Sequence, residues 1–182
     1  MKTTCLLIIL FIAGIVRGGE LHISSKEPVV VVAPDKWTAG KYPPPNPDFP
    51  FETYKIEPPA NRNAGFLVSI YDKNKPDFTN ADLLKKVLRA DSRPYVSSAG
   101  DLSKVDVKEL KIEGGLGFYA NFIDPDLVGK PVTPGEFKTA TPIIVSLSTN
   151  YLMKFTILCD KIDGPDYRDA MAIVKSVKVK KE

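Results

Sequence analysis

Histidine, cysteine and tryptophan are all scarce in this chain: its 182 residues include one His, two Cys and one Trp. Each shortage removes a class of chemistry. A histidine-rich metal site is excluded by count, and the single His22 stands near the expected start of the folded region. Ser-His-Asp and Cys-His mechanisms therefore have no base to draw on. Cys5 lies within the N-terminal leader described below, which leaves Cys159 as the only thiol of the mature chain and rules out an internal disulfide. Core packing must hold the fold.

Charge of one sign is also missing. The formal net charge is +3, and removal of the leader takes away Lys2 and Arg17, leaving 23 basic side chains against 22 acidic ones. A nucleic-acid binder gathers a basic excess on one face, whereas the only local excess here is the Lys175–Lys181 tail, read as the solvated end of a last strand. No nucleic-acid partner is expected. Long apolar runs are absent beyond the N-terminus. Leu6–Val16 is too short to span a bilayer, for which about 20 apolar residues are needed. With the weakly basic start before it and Gly18-Gly19 after it, the run describes a secretory signal peptide over residues 1–19. Cys5 precedes the apolar core, so it is not a lipid-bearing cysteine. The expected product is exported, periplasmic or extracellular, with no stable membrane insertion after cleavage. Residues 20–182 form one domain, long enough for a single core.

Within that domain, the short β-branched run Val29–Val32 leads to Trp37 and then to a proline-dense loop at residues 42–50, where polyproline conformation is expected. Strands are predicted at 53–56, 65–71, 105–112, 117–123, 143–149 and 152–160, the last two joined by a tight turn at Thr149-Asn150. Thr79 is the predicted N-cap of a helix carrying Leu83, Leu84, Val87 and Leu88, and Gly164-Pro165 opens a second with Tyr167, Ala170, Met171 and Val174 on one stripe. Val177–Val179 would close the sheet. The predicted core comprises Phe66, Val68, Ile70, Phe118, Phe122, Phe155 and Ile157, with Leu84, Leu88, Met171 and Val174 from the helices. Cys159 shares strand parity with Met153, Phe155 and Ile157, the pattern of a buried structural thiol.

One stretch imitates a cofactor motif. Gly115–Ala120, GLGFYA, satisfies the relaxed dinucleotide fingerprint, but that motif requires its glycines to open a helix. Here the residues after Gly117 alternate like a strand until Asp124-Pro125 stops them, so Gly114-Gly115 reads as a hairpin turn. No cofactor is expected. Asp124 and Asp126, and the group Asp160, Asp163 and Asp166, offer carboxylates for a hard cation but lack the calcium-loop spacing, so turn and capping roles are expected and no metal site is assigned. No catalytic residue is assigned either. Trp37, Tyr42, Phe49 and Phe51 combine aromatic rings with adjacent prolines and form the candidate partner-binding edge.

The order of elements resembles the PsbP-like superfamily, which includes the extrinsic PsbP subunit of photosystem II and a Ran-binding nuclear import factor. The similarity covers nearly the whole mature chain. It rests on Pro34-Asp35-Lys36-Trp37, on the strand ended by Pro58-Pro59 and followed by Gly65–Ile70, and on a helix from about Asn80. Near the C-terminus it rests on Tyr151–Ile157 and Asp166–Ser176. The resemblance implies an α+β fold: a single-domain antiparallel β-sheet with helices on both faces, an α/β/α sandwich. It also implies a binding or assembly module, not an enzyme. Without a chloroplast transit peptide a photosystem role is not expected, and export argues against binding Ran. The expected function is thus an exported, non-catalytic protein-binding or assembly module acting on an envelope protein. A small-ligand or metal-binding carrier is the alternative, and a hydrolase comes last.

Overall fold

The computed structural model describes residues 19–24, 29–43, 51–72, 78–147 and 151–180, with the backbone alone described at 51 and 72. The expected leader up to residue 18, the proline loop at 44–50 and the Thr149-Asn150 turn lie outside the described residues. Gly19, the last residue of the expected leader, is the first residue of a strand.

The strands are β1 (Gly19–His22), β2 (Val29–Ala33), β3 (Thr38–Tyr42), β4 (Phe51–Glu57), β5 (Ala64–Asp72), β6 (Lys108–Ile112), β7 (Gly115–Tyr119), β8 (Phe122–Ile123), β9 (Thr139–Ser146), β10 (Tyr151–Cys159) and β11 (Lys178–Val179). Helix α1 (Ala81–Asp91) follows β5, and α2 (Pro165–Lys175) follows β10. Eight strands make one sheet in the order β3-β4-β5-β10-β9-β7-β6, with β8 paired to β9; a smaller sheet has the order β1-β2-β11. Every pairing is antiparallel. The chain is therefore α+β and mostly antiparallel sheet.

Strand parity separates two apolar clusters. Ile143 and Val145 of β9 and Met153, Phe155 and Ile157 of β10 belong to the larger, together with β2 and the Tyr167, Ala170, Met171 and Val174 stripe of α2. Ile144 and Leu152, of opposite parity on the same strands, join Leu84 and Leu88 of α1, Phe78 and Phe118 in the smaller. Burial of these side chains is what holds α1 and α2 to the sheet, since helices of this length are marginal in water alone.

Local chemistry sets the element ends. Asn80, not Thr79, is the N-cap of α1, its side chain accepting from the Asp82 and Leu83 amides. Pro165 occupies the first turn of α2, where its missing N–H costs nothing. The first five residues of GLGFYA form strand β7, and the turn before it is Glu113-Gly114, one residue earlier than the expected Gly114-Gly115, with Gly114 at φ 71°. Gly115 and Gly117 are small for a different reason. A Cβ at Gly115 would sit 2.3 Å from the Ser146 carbonyl oxygen, and one at Gly117 would sit 2.8 Å from that of Leu110. Neighbouring strands leave no room there.

Several expectations need correction. The strand expected over 117–123 is broken at Ala120-Asn121 into β7 and β8, and β9 begins at Thr139 because Phe122-Ile123 pairs with Ala140 and Thr139. The last strand does not close the main sheet; Lys178-Val179 pairs with Val30-Val29 in the smaller one. Phe122 is half-buried, unlike the rest of the predicted core, which is buried throughout. The edge strands β1 and β3, polar and nearly devoid of β-branched residues, were not anticipated.

Candidate functional site

On the face of the large sheet that carries α1, β10 presents Lys154, Thr156 and Leu158, alternating with the buried Met153, Phe155 and Ile157. Their register partners are Ile144, Pro142 and Ala140 on β9, and Ser69, Leu67 and Gly65 on β5. Helix α1 covers only the end of this face near Leu152 and Ile144. At its C-terminus the fully buried Ser92 donates its hydroxyl to the Leu88 carbonyl at 2.8 Å. The 3-10 turn Arg93–Tyr95 follows, with Pro94 as its second residue. The turn carries Tyr95 across the sheet, where its ring stacks on Phe122 at 5.5 Å.

Tyr95 is the wall shared by two cavities. One, about 630 Å³ and partly open, is lined chiefly by Pro94, Tyr95, Val96, Phe122, Ile123, Phe137, Ala140 and Leu158, with Lys138 and Asp124 on its rim. Its volume and apolar walls are those of a small-molecule site. The other, about 240 Å³, has mixed walls: Thr53, Ser69, Tyr71, Asp91, Lys154 and Thr156 line it beside Tyr42 and Tyr95, together with the apolar Leu67, Leu88, Pro142, Ile143 and Phe155. Thr53 and Ser69 share a hydrogen bond of 3.0 Å.

Lys154 organises the smaller cavity. Its Nζ lies 2.6 Å and 2.7 Å from the two carboxylate oxygens of Asp91, the last residue of α1, and 5.1 Å from the centre of the Tyr71 ring. Burial opposes its charge, but the bond to and attraction by Asp91, with Tyr71, together hold the ammonium above its usual range. Lys154 is thus kept protonated, as an anchor and hydrogen-bond donor and not as a nucleophilic amine.

Of the residues expected to form a partner-binding edge, Trp37 and Tyr42 have described side chains, and they differ in exposure. Trp37 is 5% exposed and sits in the larger cluster. The Pro34–Trp37 turn, closed by Trp37 N–H to Pro34 O at 3.2 Å with Lys36 at φ 70°, directs the indole inward. Arg62 lies over it at 5.3 Å, hydrogen-bonded to Asp166 and, at 2.7 Å, to Asp169 of α2. This is a clamp between the β4–β5 loop and α2. Tyr42 is 44% exposed at the end of edge strand β3. Phe49 and the Phe51 side chain lie outside the described residues.

The aspartate groups serve local structure. Asp124 caps the turn Pro125–Leu127 by accepting from the Asp126 amide at 2.9 Å, Asp160 accepts from Asn63 at 3.1 Å, and Asp166 belongs to the Arg62 clamp. Among the described residues, no group of three or more His, Cys, Asp or Glu side chains is placed to hold one metal ion. Cys159 is buried, 3.1 Å from the Thr139 hydroxyl, and burial pushes its thiol up, away from the thiolate a nucleophile requires. His22 is exposed on β1.

The cavity residues escaped sequence reading because Asp91 and Lys154 are 63 positions apart and Tyr95 falls between the first predicted helix and the strand predicted from 105, where no element is predicted. A signal was present. A lysine and a threonine alternating with Met153, Phe155 and Ile157 mark a strand whose second face is not fully covered.

No protein-family model matches the chain, and no curated protein does. A solved structure from Bacteroides thetaiotaomicron is similar at a TM-score of 0.53 with 12% sequence identity, over 91% of this chain and 50% of that one. The likeness is one of fold, and this chain spans half the length of that protein. Among the described residues, no helix is long and apolar enough to cross a membrane.

Proposed function

We propose that this chain is an exported, non-catalytic binding module, and that its ligand occupies the cleft bounded by Tyr95 and Phe122. The observation that carries this reading is the partly open cavity of about 630 Å³, walled chiefly by apolar side chains, beside a smaller one that holds the Lys154–Asp91 pair on the same sheet face. It favours the carrier over the protein-binding module, since Trp37 is committed to the core. Partner docking at Tyr42 on the exposed edge of β3 is the second reading, favoured by that ring's exposure. The absence of catalysis is supported by the pairing of Lys154 with Asp91 and the burial of Cys159. The layered arrangement expected of a PsbP-like domain, helices on both faces of one sheet, is supported by the opposite parity of the α1 and α2 clusters.

The neutral fluorophore N-phenyl-1-naphthylamine tests the cleft. Wild type should bind it saturably, and Leu158→Glu, which puts a charge on the cavity floor, should weaken binding about tenfold, equivalent to about 1.4 kcal/mol. Near-UV circular dichroism confirms that the variant is folded. Absent or non-saturable binding by wild type, or affinity unchanged in folded Leu158→Glu, would overturn the assignment.

A further inference from the structure

Resting on the cleft as the binding site, we infer that its ligand is an uncharged, elongated amphiphile whose apolar body lies against Tyr95 and Phe122 and whose hydrogen-bonding head reaches Lys154 and Asp91. Tyr95 is common to both cavities, so the larger and the smaller border the same ring. The smaller cavity sets hydrogen-bonding groups among apolar ones, and the charges in its lining sum to zero. Lys154 and Asp91 satisfy one another, and the other polar groups are the hydroxyls of Tyr42, Thr53, Ser69, Tyr71, Tyr95 and Thr156.

The two ions remain within reach of a ligand, their side chains being 26% and 31% exposed. A carboxylate arriving at Lys154 meets the Asp91 carboxylate beside it, and an ammonium arriving at Asp91 meets Lys154, so each charge sign has a repulsive neighbour. A hydroxyl, carbonyl or amide meets neither cost and gains a donor and an acceptor. Lys138 and Asp124 also line the larger cavity, the Asp124 amide donating to the Lys138 carbonyl at 2.8 Å.

The test is displacement of N-phenyl-1-naphthylamine at pH 7 by decan-1-ol, decanoate and decylammonium, each below its aggregation limit. Decanol should displace the probe from wild type at concentrations at least about tenfold lower than either ion. Any apolar cleft favours the alcohol to some degree, so the decisive measurement is the exchange of preference. Asp91→Asn leaves Lys154 unpaired and should improve decanoate at least about fivefold relative to decylammonium; Lys154→Met leaves Asp91 unpaired and should do the reverse. The double variant Asp91→Asn/Lys154→Met should return the order to that of wild type. If one single variant fails to fold, the other together with the double variant decides the question. A probe that does not bind wild type removes the cleft reading and this inference with it. A probe that binds, with a competitor order unmoved by either folded variant, overturns the headgroup assignment and leaves the cleft reading standing.

Discussion

Truncating Phe155 to alanine tests whether the larger cluster is the mechanical centre of the fold. Phe155 is 1% exposed in the middle of β10, paired on one side with Val68 of β5 and on the other with Ile143 of β9. Its ring stacks on Phe66 at a centroid distance of 5.7 Å and an interplanar angle of 21°. Removing a fully buried phenyl ring costs about 3–5 kcal/mol through lost transfer energy and the cavity left behind. The aromatic pair contributes about 0.5–1.5 kcal/mol of geometry-specific attraction, which places the expected loss in the upper part of that range. Little relaxation is available, because the flanking strands are held by continuous ladders from residue 64 to 72 and from 139 to 146. At about 2–4 °C per kcal/mol for a domain of this size, the midpoint should fall by roughly 6–20 °C. Equilibrium urea unfolding followed by circular dichroism measures the loss. A value below about 1 kcal/mol with an unchanged m-value would refute the packing argument.

Three further outcomes are expected. Arg62→Met removes the partners of Asp166 and Asp169 and the cation over Trp37, and after discounting for solvent access should cost about 1–3 kcal/mol. The chain's single tryptophan should change its emission in the same variant; stability and emission both unaltered would dissolve the clamp. Gly115→Ala places a methyl 2.3 Å from the Ser146 carbonyl and should cost about 1–3 kcal/mol by prising β7 from β9, so a neutral result by urea unfolding contradicts that strand spacing. Hydrogen bonds from Lys180 and Lys178 hold Glu20 down at about 2, below its ordinary 4.5. A depressed carboxylate contributes stability that is present above 4.5 and lost as pH falls toward 2. Glu20→Gln should therefore be less stable than wild type at pH 6 in low salt and converge with it near pH 2. Identical pH profiles for the two proteins would exclude a role for these pairs.

Much of the architecture was legible without coordinates because it depends on local periodicity. Alternation in Phe66, Val68, Ile70 and in Phe155, Ile157, Cys159 identifies strands with one buried face, and the 3.6-residue stripe from Tyr167 to Val174 identifies α2. The same reasoning dismissed the dinucleotide motif at GLGFYA, since alternation continues where a helix would have to begin. It failed for β1 and β3, edge strands whose Gly-Glu-Leu-His and Thr-Ala-Gly-Lys-Tyr sequences carry little strand propensity and form by pairing with β2 and β4. Periodicity says nothing of Trp37, which follows a turn closed by Pro34 with a left-handed Lys36 and is buried in the larger cluster.

By itself the sequence determined the elements whose side chains repeat with a fixed period, together with the chemistry that its composition forbids. Only the tertiary structure decided which faces those elements share and which polar residues meet. Phe122, read as core by parity alone, becomes a cleft wall because α1 ends at Asp91 and the turn after it lays Tyr95, and no second helix, over that part of the sheet. Lys154 and Asp91 meet because β10 lies beneath the C-terminus of α1, a contact set by strand order and therefore absent from any window of neighbouring residues.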